Sequence, residues 1–322
     1  MTFVFVGAGA VGGYYGALLA RAGHQVGFVA RGAHRDAIAR NGVGVVSDAV
    51  GTFTVPARAE SDPKRLGRPD VVVLAVKAYD NATVIPLMSP MVGPDTTVLT
   101  LQNGVDSAEE VAAVVGEAAT IAGSTYVATA IDAPGVIRQT GSHRRIVFGE
   151  YFGDRRVISH RVKVLESAFR EADIHAEPVP DVRNAIWEKF TYLAPFAAFT
   201  GAARLPIGPL WSDAHTRTMF LQAVAEVRAV AIASGVALRA DHEAFVNDYL
   251  DRLPASTRSS LLIDLSQNRK IEVEALQGAV VRRGRQVGVA TPIMSALYAV
   301  LKPWADGSAN ALAGLVRPPS SA

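Results

Sequence analysis

The amino-acid sequence predicts an α/β fold, with a doubly wound sheet in the N-terminal part of the chain and an all-helical domain in the C-terminal part. Strand patterns alternate with helix patterns over the first part, which is typical of a parallel sheet covered by helices. A glycine-rich turn joins the first strand to the first helix. After Pro178 and Pro180 the pattern becomes helical. We therefore place the boundary near residue 180, with domains at 1–180 and 181–322.

The N-terminal elements follow one another in the order strand, helix, strand. Thr2–Val6 is a β-branched and aromatic run that predicts a strand, and the Ala- and Leu-rich Tyr14–Ala22 predicts a helix. A second strand over Gln25–Ala30 completes a βαβ unit. Two later apolar runs, Val71–Val76 and Thr97–Leu101, predict further buried strands of a parallel sheet.

The segment from about 120 to 150 carries short strand-like pieces separated by turn signals at Ala133-Pro134-Gly135 and Thr140-Gly141-Ser142. These pieces predict edge strands that close the sheet. The C-terminal domain is predicted to contain five helices, at Val182–Phe199, Ser212–Ser234, Glu243–Leu253, Ser259–Arg282 and Thr291–Ala305. The Pro- and Ser-rich tail, Arg317–Ala322, is expected to fray.

Composition excludes several classes of protein. The 322 residues are 49% hydrophobic and 19% charged, which is typical of a chain with a large core. The absence of cysteine removes disulfides and thiolate chemistry, and seven scattered histidines predict no metal site. A net charge of +2 without a basic run predicts no nucleic-acid partner. The apolar stretch Phe190–Ala203 is shorter than the roughly 20 residues of a membrane span. We therefore expect a soluble, cytoplasmic protein, for which a homodimer is plausible.

A G-x-G-x-x-G motif lies directly after the first predicted strand and directly before the first helix. In this setting the first glycine permits a tight turn, the second lets the backbone approach a pyrophosphate, and the third allows close helix packing. The motif therefore predicts a Rossmann-type dinucleotide site formed by Gly7, Ala8, Gly9, Ala10, Val11 and Gly12. The alternative is a glycine-rich turn that binds nothing.

The residue after the second strand indicates which dinucleotide is bound. An acidic residue there accepts from the ribose 2′-hydroxyl group, whereas an arginine pairs with a 2′-phosphate. The sequence has Arg31 at this position, so NADP is favoured over NAD, unless Arg31 is only a solvated loop residue. Lys77 and Asn103 follow two other strands and could face the cofactor. Their alternatives are a surface lysine and a turn-forming Asn-Gly pair.

Two segments of the helical domain carry further candidates. Lys189 directly precedes the apolar run Phe190–Ala203, where burial disfavours the charged form of a lysine and makes it a better proton donor. The alternative is a lysine whose stem packs at a helix end. Ser260, Asp264 and Glu272 lie at helical intervals of four and eight, so we expect them along one face of the predicted helix. The alternative there is a capping serine with solvated acids.

Together these motifs resemble the ketopantoate reductase family from Gly7 to about Lys302. The resemblance rests on GAGAVG, the arginine after the second strand, and the segments VKA, QNGV, EK, SSLLID, IEVEALQG and VATPIMSALY. Members of this family reduce 2-dehydropantoate (ketopantoate) to pantoate with NADPH in pantothenate biosynthesis. The resemblance therefore implies an NADP-dependent oxidoreductase that acts on a small-molecule 2-oxo acid.

The resemblance also implies individual roles. Gly7 to Gly12 and Arg31 would hold the pyrophosphate and the 2′-phosphate, and Lys77, Asn103 and Ala128 would line the cofactor channel. Lys189 would be the general acid that protonates the alkoxide formed from the keto group. The remaining positions would be Ser260 and Asn103 at the substrate and Glu272 near the cofactor and the catalytic lysine.

The sequence departs from the family pattern at three positions. Leu193, Ala197 and Ile207 stand where the family has asparagines. An apolar pocket discriminates by only about 1–3 kcal/mol per methylene group, whereas a hydrogen-bonding pocket strongly rejects an analogue that lacks the hydroxyl. One alternative is therefore a reductase of a more apolar 2-oxo acid. Two others are a non-catalytic NADP-binding regulator and a β-hydroxyacid dehydrogenase, which fits QNGV and SSLLID less well.

Overall fold

The structure is a computed structural model that describes residues 1–307. The tail Arg317–Ala322, for which fraying is predicted, lies outside these residues. The chain divides into two compact units. The first consists of residues 1–102 and 106–185, and the second consists of residues 103–105 together with residues 186–307.

The first unit is built around one mixed sheet. Its strands are hydrogen-bonded side by side in the order β4-β3-β9-β8-β7-β6-β1-β2-β5. The remaining strand, β10, also pairs with β9. The pairs β3–β4 and β8–β9 are antiparallel and the remaining pairs are parallel. The strands are β1 (Thr2–Val6), β2 (Gln25–Val29), β3 (Val43–Ser47), β4 (Gly51–Val55), β5 (Arg58–Glu60), β6 (Val71–Leu74), β7 (Thr97–Thr100), β8 (Thr120–Ala133), β9 (Val136–Glu150) and β10 (His175–Pro178).

Helices cover both faces of this sheet. Along β1, Phe3 and Phe5 pack into one core cluster while Val4 and Val6 pack into another. Because successive side chains of a strand point to opposite faces, both faces are buried. The helices that cover them are α1 (Ala10–Arg21), α2 (Gly32–Asn41), α3 (Asn81–Met88), α4 (Ser107–Val115) and α5 (His160–Glu171). The predicted doubly wound α/β fold is confirmed.

The segment from 120 to 150 differs from its prediction. It forms the two longest strands, β8 and β9, and these lie inside the sheet between β7 and β3, so the expectation of short edge strands is wrong. Ala133-Pro134-Gly135 does form the turn between them. Thr140-Gly141-Ser142 lies instead within β9, where the pairing register with β8 shifts between Val127 and Ala128. The residues predicted to form this second turn therefore form a β-bulge within β9.

The second unit contains only helices and connecting segments within its described part. The helices are α6 (Val182–Ala203), which begins in the first unit, α7 (Ile207–Ser212), α8 (Ala214–Ala233), α9 (His242–Asp251), α10 (Ser260–Ser266), α11 (Ala279–Gln286) and α12 (Pro292–Leu301). Helix α6 lies between two cores. Trp187 and Phe190 pack into one of them, and Tyr192 and Phe196 pack into the other. This position explains why the α6 sequence is apolar on nearly all sides.

The single helix predicted over Ser259–Arg282 is interrupted. Helix α10 ends at Ser266, and Asn268 adopts a positive φ of 55° that ends the helical path. The chain becomes helical again in a π-helical turn over Glu274–Gly278, which leads into α11. Ser260 and Glu272 therefore do not share a helix face, and that expectation is wrong.

Candidate active site

The glycine-rich turn between β1 and α1 is packed so closely that two of its glycines cannot carry a side chain. Gly7 has a φ of 107°, and a Cβ atom there would lie 2.8 Å from the backbone nitrogen of Val76. A Cβ atom on Gly12 would lie 2.0 Å from the carbonyl oxygen of Gly7. The first and third glycines of the motif therefore allow the tight turn and the close approach of α1.

The second glycine borders open space. Nothing lies within 4 Å of the position that a Cβ atom on Gly9 would occupy. The backbone N–H groups of Gly9, Ala10 and Val11 have no acceptor in the described chain, and no side chain there caps the first turn of α1. Unsatisfied N–H groups and the helix dipole favour an anion at a helix N-terminus. The turn can therefore receive a phosphate group close to its backbone.

A cleft of about 240 Å³ opens beside this turn in the first unit. Gly7, Ala8 and Gly9 line it together with Arg31 and His34. Much of the remaining lining is apolar and includes Val29, Ala30, Pro63, Val84, Leu87, Met88 and Met91. Apolar walls beside an anion site suit a nucleotide, which combines an aromatic base with charged phosphates. The residues present therefore fit a dinucleotide cofactor.

Arg31 supplies a cationic side chain at the same cleft. It is the N-cap residue of α2, and its side chain is exposed. The guanidinium group has no hydrogen-bond or ion-pair partner among the described residues. The cleft lining also includes one carboxylate, that of Asp80. A guanidinium group with no carboxylate partner can bind a phosphate bidentately.

The other predicted cofactor residues do not line this cleft. Lys77 is half-buried, and its carbonyl oxygen accepts a hydrogen bond of 2.9 Å from the backbone N–H of Asp80. Ala128 is exposed on β8 at the register shift. Asn103 belongs to the second unit. The roles of these three residues remain predictions.

A hydrogen-bond network that the sequence does not reveal supports the end of β6. The side-chain amide of Gln102 donates to the carbonyl oxygen of Val76 at 2.8 Å and to Oδ1 of Asn81 at 2.6 Å. The Asn81 amide in turn donates to Glu110 at 2.6 Å. Val76 lines the cleft, so this network holds part of its wall. Gln102 belongs to the QNGV segment that the family shares, but the sequence does not show which atoms its side chain contacts.

In the second unit, Lys189 and Asn103 are brought together. Lys189 lies half-buried on α6, and its Nζ atom donates a hydrogen bond of 3.1 Å to Oδ1 of Asn103. Asn103 follows β7 in the chain but packs with the helical unit. The amide oxygen therefore orients the ammonium group of Lys189 without supplying a negative charge that would trap its proton.

The segment that carries Glu272 lies beside the loop of residues 103–105, which contains Asn103. Glu272 is only 6% exposed and precedes the π-helical turn. A Cβ atom on Gly104 would lie 3.0 Å from the carbonyl oxygen of Ala275, so the loop and this turn are in close contact. Arg283 donates to the carbonyl oxygen of Val105 at 3.2 Å. The loop therefore connects Lys189 with the segment that presents Glu272.

Ser260 lies elsewhere on the second unit. It is exposed in the first turn of α10, while its neighbour Ser259 is the N-cap that accepts from the backbone N–H of Leu262. The Ser259 hydroxyl group is also 2.7 Å from Thr200 Oγ1 on α6. At 1.5 Å per residue, Thr200 is about 16 Å from Lys189 along the helix. The structure does not bring Ser260 into contact with Lys189. Asp264 is buried, with Arg269 at 3.8 Å.

The three residues that depart from the family pattern are all apolar, but they differ in how deeply they are buried. Ala197 and Ile207 are each 1% exposed and belong to the two cores beside α6. Leu193 is partly exposed and packs against both cores. It follows Lys189 by one helical turn, so it lies on the same face of α6. Leu193 is therefore the departure that a substrate beside Lys189 would meet.

A buried histidine supports α6 next to Lys189. The Thr191 hydroxyl group donates to the carbonyl oxygen of Glu188 at 2.7 Å, and its oxygen atom is 2.7 Å from Nε2 of His242. A hydroxyl group has one proton, so His242 must donate to Thr191. Burial, assisted by the positive charge of Arg228, lowers the pKa of His242. The neutral imidazole therefore ties α9 to α6.

Two further features concern the described residues as a whole. None of their helices is both long enough and apolar enough to cross a lipid bilayer. No group of three or more acidic or histidine side chains in residues 1–307 is arranged to hold a metal ion.

The sheet and its glycine-rich turn are those of the dinucleotide-binding proteins of the α/β class. The sequence model described as "Ketopantoate reductase PanE/ApbA" matches residues 3–153, and the one described as "Ketopantoate reductase PanE/ApbA C terminal" matches residues 181–305. The chain belongs to the ketopantoate reductase family, a family of oxidoreductases that use a nicotinamide cofactor. The resemblance found in the sequence is confirmed.

Relatives of known sequence or structure cover nearly the whole chain. The chain is 32% identical to the 2-dehydropantoate 2-reductase of Mesorhizobium japonicum, over 94% of this chain and 97% of that protein. Among solved structures, the PanE/ApbA family ketopantoate reductase from Ralstonia eutropha JMP134 is similar with a TM-score of 0.86 and 30% identity, over 94% and 97% of the two chains. The 2-dehydropantoate 2-reductase from Geobacter metallireducens also has a TM-score of 0.86 and 30% identity, over 94% and 99%.

Proposed function

We propose that the protein reduces 2-dehydropantoate to pantoate with NADPH. The observation that carries this proposal is the hydrogen bond between Lys189 and Asn103, because it presents a proton donor of defined orientation. The proposal is supported by relatives named 2-dehydropantoate 2-reductase at 30% and 32% identity. A non-catalytic NADP-binding regulator would have no use for such an oriented lysine.

Residues of the first unit would hold the cofactor. The N–H groups of Gly9, Ala10 and Val11 would bind the pyrophosphate, and Arg31 would bind the 2′-phosphate. When bound, NADPH supplies the hydride that reduces the C2 carbonyl group.

Residues of the second unit would handle the proton and the substrate. Lys189 would donate its proton to the oxygen atom of the former keto group, giving the 2-hydroxy acid. Asn103 would keep the ammonium group directed, and it would also contact the substrate. Lys189 would regain its proton from solvent between turnovers, and the Glu272 carboxylate would lie near the cofactor and the lysine. Because Ser260 does not contact Lys189, its hydroxyl group would bind a part of the substrate that is remote from the keto group.

One observation favours a second candidate substrate. Leu193 shares the face of α6 with Lys189 and is partly exposed, so it offers an apolar surface where the family pattern has an amide. The second candidate function is therefore the NADPH-dependent reduction of a branched 2-oxo acid that carries no hydroxyl group.

A matched pair of substrates separates the two candidates. Ketopantoate and 3,3-dimethyl-2-oxobutanoate differ only by the hydroxyl group. If the protein is a ketopantoate reductase, we expect kcat/KM for ketopantoate to be higher by more than about 100-fold, because a pocket that hydrogen-bonds a hydroxyl group strongly rejects its absence. The measurement is NADPH oxidation by the purified protein, with 2-oxoisovalerate as a third substrate. Equal or reversed kcat/KM values would assign the apolar substrate instead.

The glycine-rich turn provides a test of the cofactor site. Gly9→Ala is expected to raise the dissociation constant of NADPH at least about 10-fold, because a methyl group would occupy the space next to the N–H groups. It should leave the melting temperature nearly unchanged, since that space is open.

Gly12→Ala is the matched control for this test. A methyl group there would meet the carbonyl oxygen of Gly7, so we expect a loss of stability of about 1–3 kcal/mol in thermal unfolding. Unchanged NADPH affinity in Gly9→Ala would contradict the placement of the pyrophosphate at this turn.

A further inference from the structure

His34 connects the glycine-rich turn to a second element of the first unit. Its Nε2 atom is 2.7 Å from the carbonyl oxygen of Ala8, and its Nδ1 atom is 3.1 Å from the backbone nitrogen of Gly135. Ala8 belongs to the glycine-rich turn, and Gly135 is in the turn between β8 and β9. The imidazole ring is half-buried and lines the same cleft as Arg31.

These two contacts determine the protonation state of the ring. A backbone N–H can only donate, so Nδ1 must accept from Gly135 and carries no proton. A carbonyl oxygen can only accept, so Nε2 must donate to Ala8. His34 is therefore a neutral imidazole with its proton on Nε2. Neither contact would survive a ring flip, because the flip would replace a donor or an acceptor with a carbon atom.

The contact with Ala8 also determines the direction of the next amide. In a trans peptide unit the C=O and N–H bonds point in opposite directions. The carbonyl group of Ala8 points at the imidazole, so the N–H group of Gly9 points away from it. That N–H group has no acceptor in the described chain. Without the His34 contact, the Ala8 carbonyl group would lose the hydrogen bond that favours this orientation of the Ala8–Gly9 peptide.

We propose that His34 is a positioning residue for cofactor binding, which holds the Ala8–Gly9 peptide so that the Gly9 amide is directed at a phosphate. This inference rests on the proposed function, because it assumes that the phosphate belongs to NADPH. The contact with Gly135 anchors the ring from the other side. The turn between β8 and β9 itself packs on α2, since a Cβ atom on Gly135 would lie 3.0 Å from Cβ of Ala37.

Two amide substitutions separate the two contacts of the ring. In His34→Gln the side-chain amide can place an N–H where Nε2 lies and keep the bond to Ala8. In His34→Asn the oxygen atom can replace Nδ1 and keep the bond to Gly135, but no donor reaches Ala8. His34→Ala removes both. The exposed His143, on β9 of the same unit, provides the control variant His143→Asn.

The measurement is the dissociation constant of NADPH by titration calorimetry, with KM and kcat from NADPH oxidation and the melting temperature of each variant. We expect the dissociation constant to rise about 10-fold in His34→Ala and His34→Asn and to stay near the wild-type value in His34→Gln and His143→Asn. KM for NADPH should rise in the same two variants far more than kcat falls.

Three other outcomes would contradict either the inference on His34 or the proposed function. If His34→Gln and His34→Asn weaken NADPH binding equally, in proportion to their loss of melting temperature, His34 has only a structural role and the inference is wrong. If all variants bind NADPH as tightly as the wild type, the inference is also wrong, although the proposed function stands. If the wild type itself does not bind NADPH, the proposed function fails and the inference fails with it.

Discussion

Lys189→Ala is expected to lower kcat roughly 10²- to 10⁴-fold, which is the usual contribution of a positioned general acid. The dissociation constant of NADPH should remain almost unchanged. Lys189 belongs to the helical unit, whereas the glycine-rich turn and Arg31 belong to the first unit. A change confined to kcat is therefore the signature of a proton donor rather than of a cofactor ligand.

Two further variants make this test specific. Lys189→Met keeps an unbranched side chain of similar length but has no proton to donate, so it should lose as much activity as Lys189→Ala. Lys270→Ala removes an exposed lysine of the same unit, which is paired with Asp306 at 3.3 Å, and should retain full activity. Normal kcat in Lys189→Met would show that another group protonates the product.

Arg31→Ala is expected to raise KM for NADPH about 100-fold while KM for NADH changes little. A bidentate guanidinium–phosphate pair is among the stronger hydrogen-bonded contacts. NADH has no 2′-phosphate, so it does not make this contact and loses nothing when Arg31 is removed. The side chain has no partner among the described residues, so its removal leaves no protein group unpaired. The variant should therefore unfold at the wild-type temperature.

Arg40→Ala is the matched control for Arg31→Ala. Arg40 is exposed at the other end of α2, and its side chain donates to the carbonyl oxygen of Asp36 at 3.2 Å. Both Michaelis constants are expected to stay at wild-type values in this variant. An equal rise for NADPH and NADH in Arg31→Ala would place Arg31 at a feature that the two cofactors share, such as the pyrophosphate.

The fold of the first unit could be predicted because its signals are local. The alternation of Phe3 and Phe5 with Val4 and Val6 indicates a strand buried on both faces, and the glycines after it leave few conformations other than a tight turn. The prediction that Arg31 binds a phosphate likewise rests on its place after the second strand. Each of these inferences needs only a few consecutive residues.

The errors arose where contacts distant in sequence decide the structure. The helix predicted over Ser259–Arg282 rested on apolar positions at helical spacing, and the polar run Ser266–Lys270 does not by itself specify a turn at Asn268. The strands β8 and β9 take their central place from pairing with β7 and β3. For the same reason, the contacts of His34 with Ala8 and Gly135 could not be found, although His34 stands next to Arg31 in the chain.

The place of β9 in the sheet has a consequence for how the chain folds. Within the described sheet, the hairpin of β3 and β4 is joined to the other strands through β9, and Gly44 pairs with Val136. During synthesis this hairpin leaves the ribosome long before β9 has been made. The edge of β3 that pairs with β9 therefore stays unpaired during that time. Closing so long a loop is slow because the entropy is lost before the contacts form. The unpaired edge of β3 is therefore open to aggregation until residues 136–139 of β9 have been made.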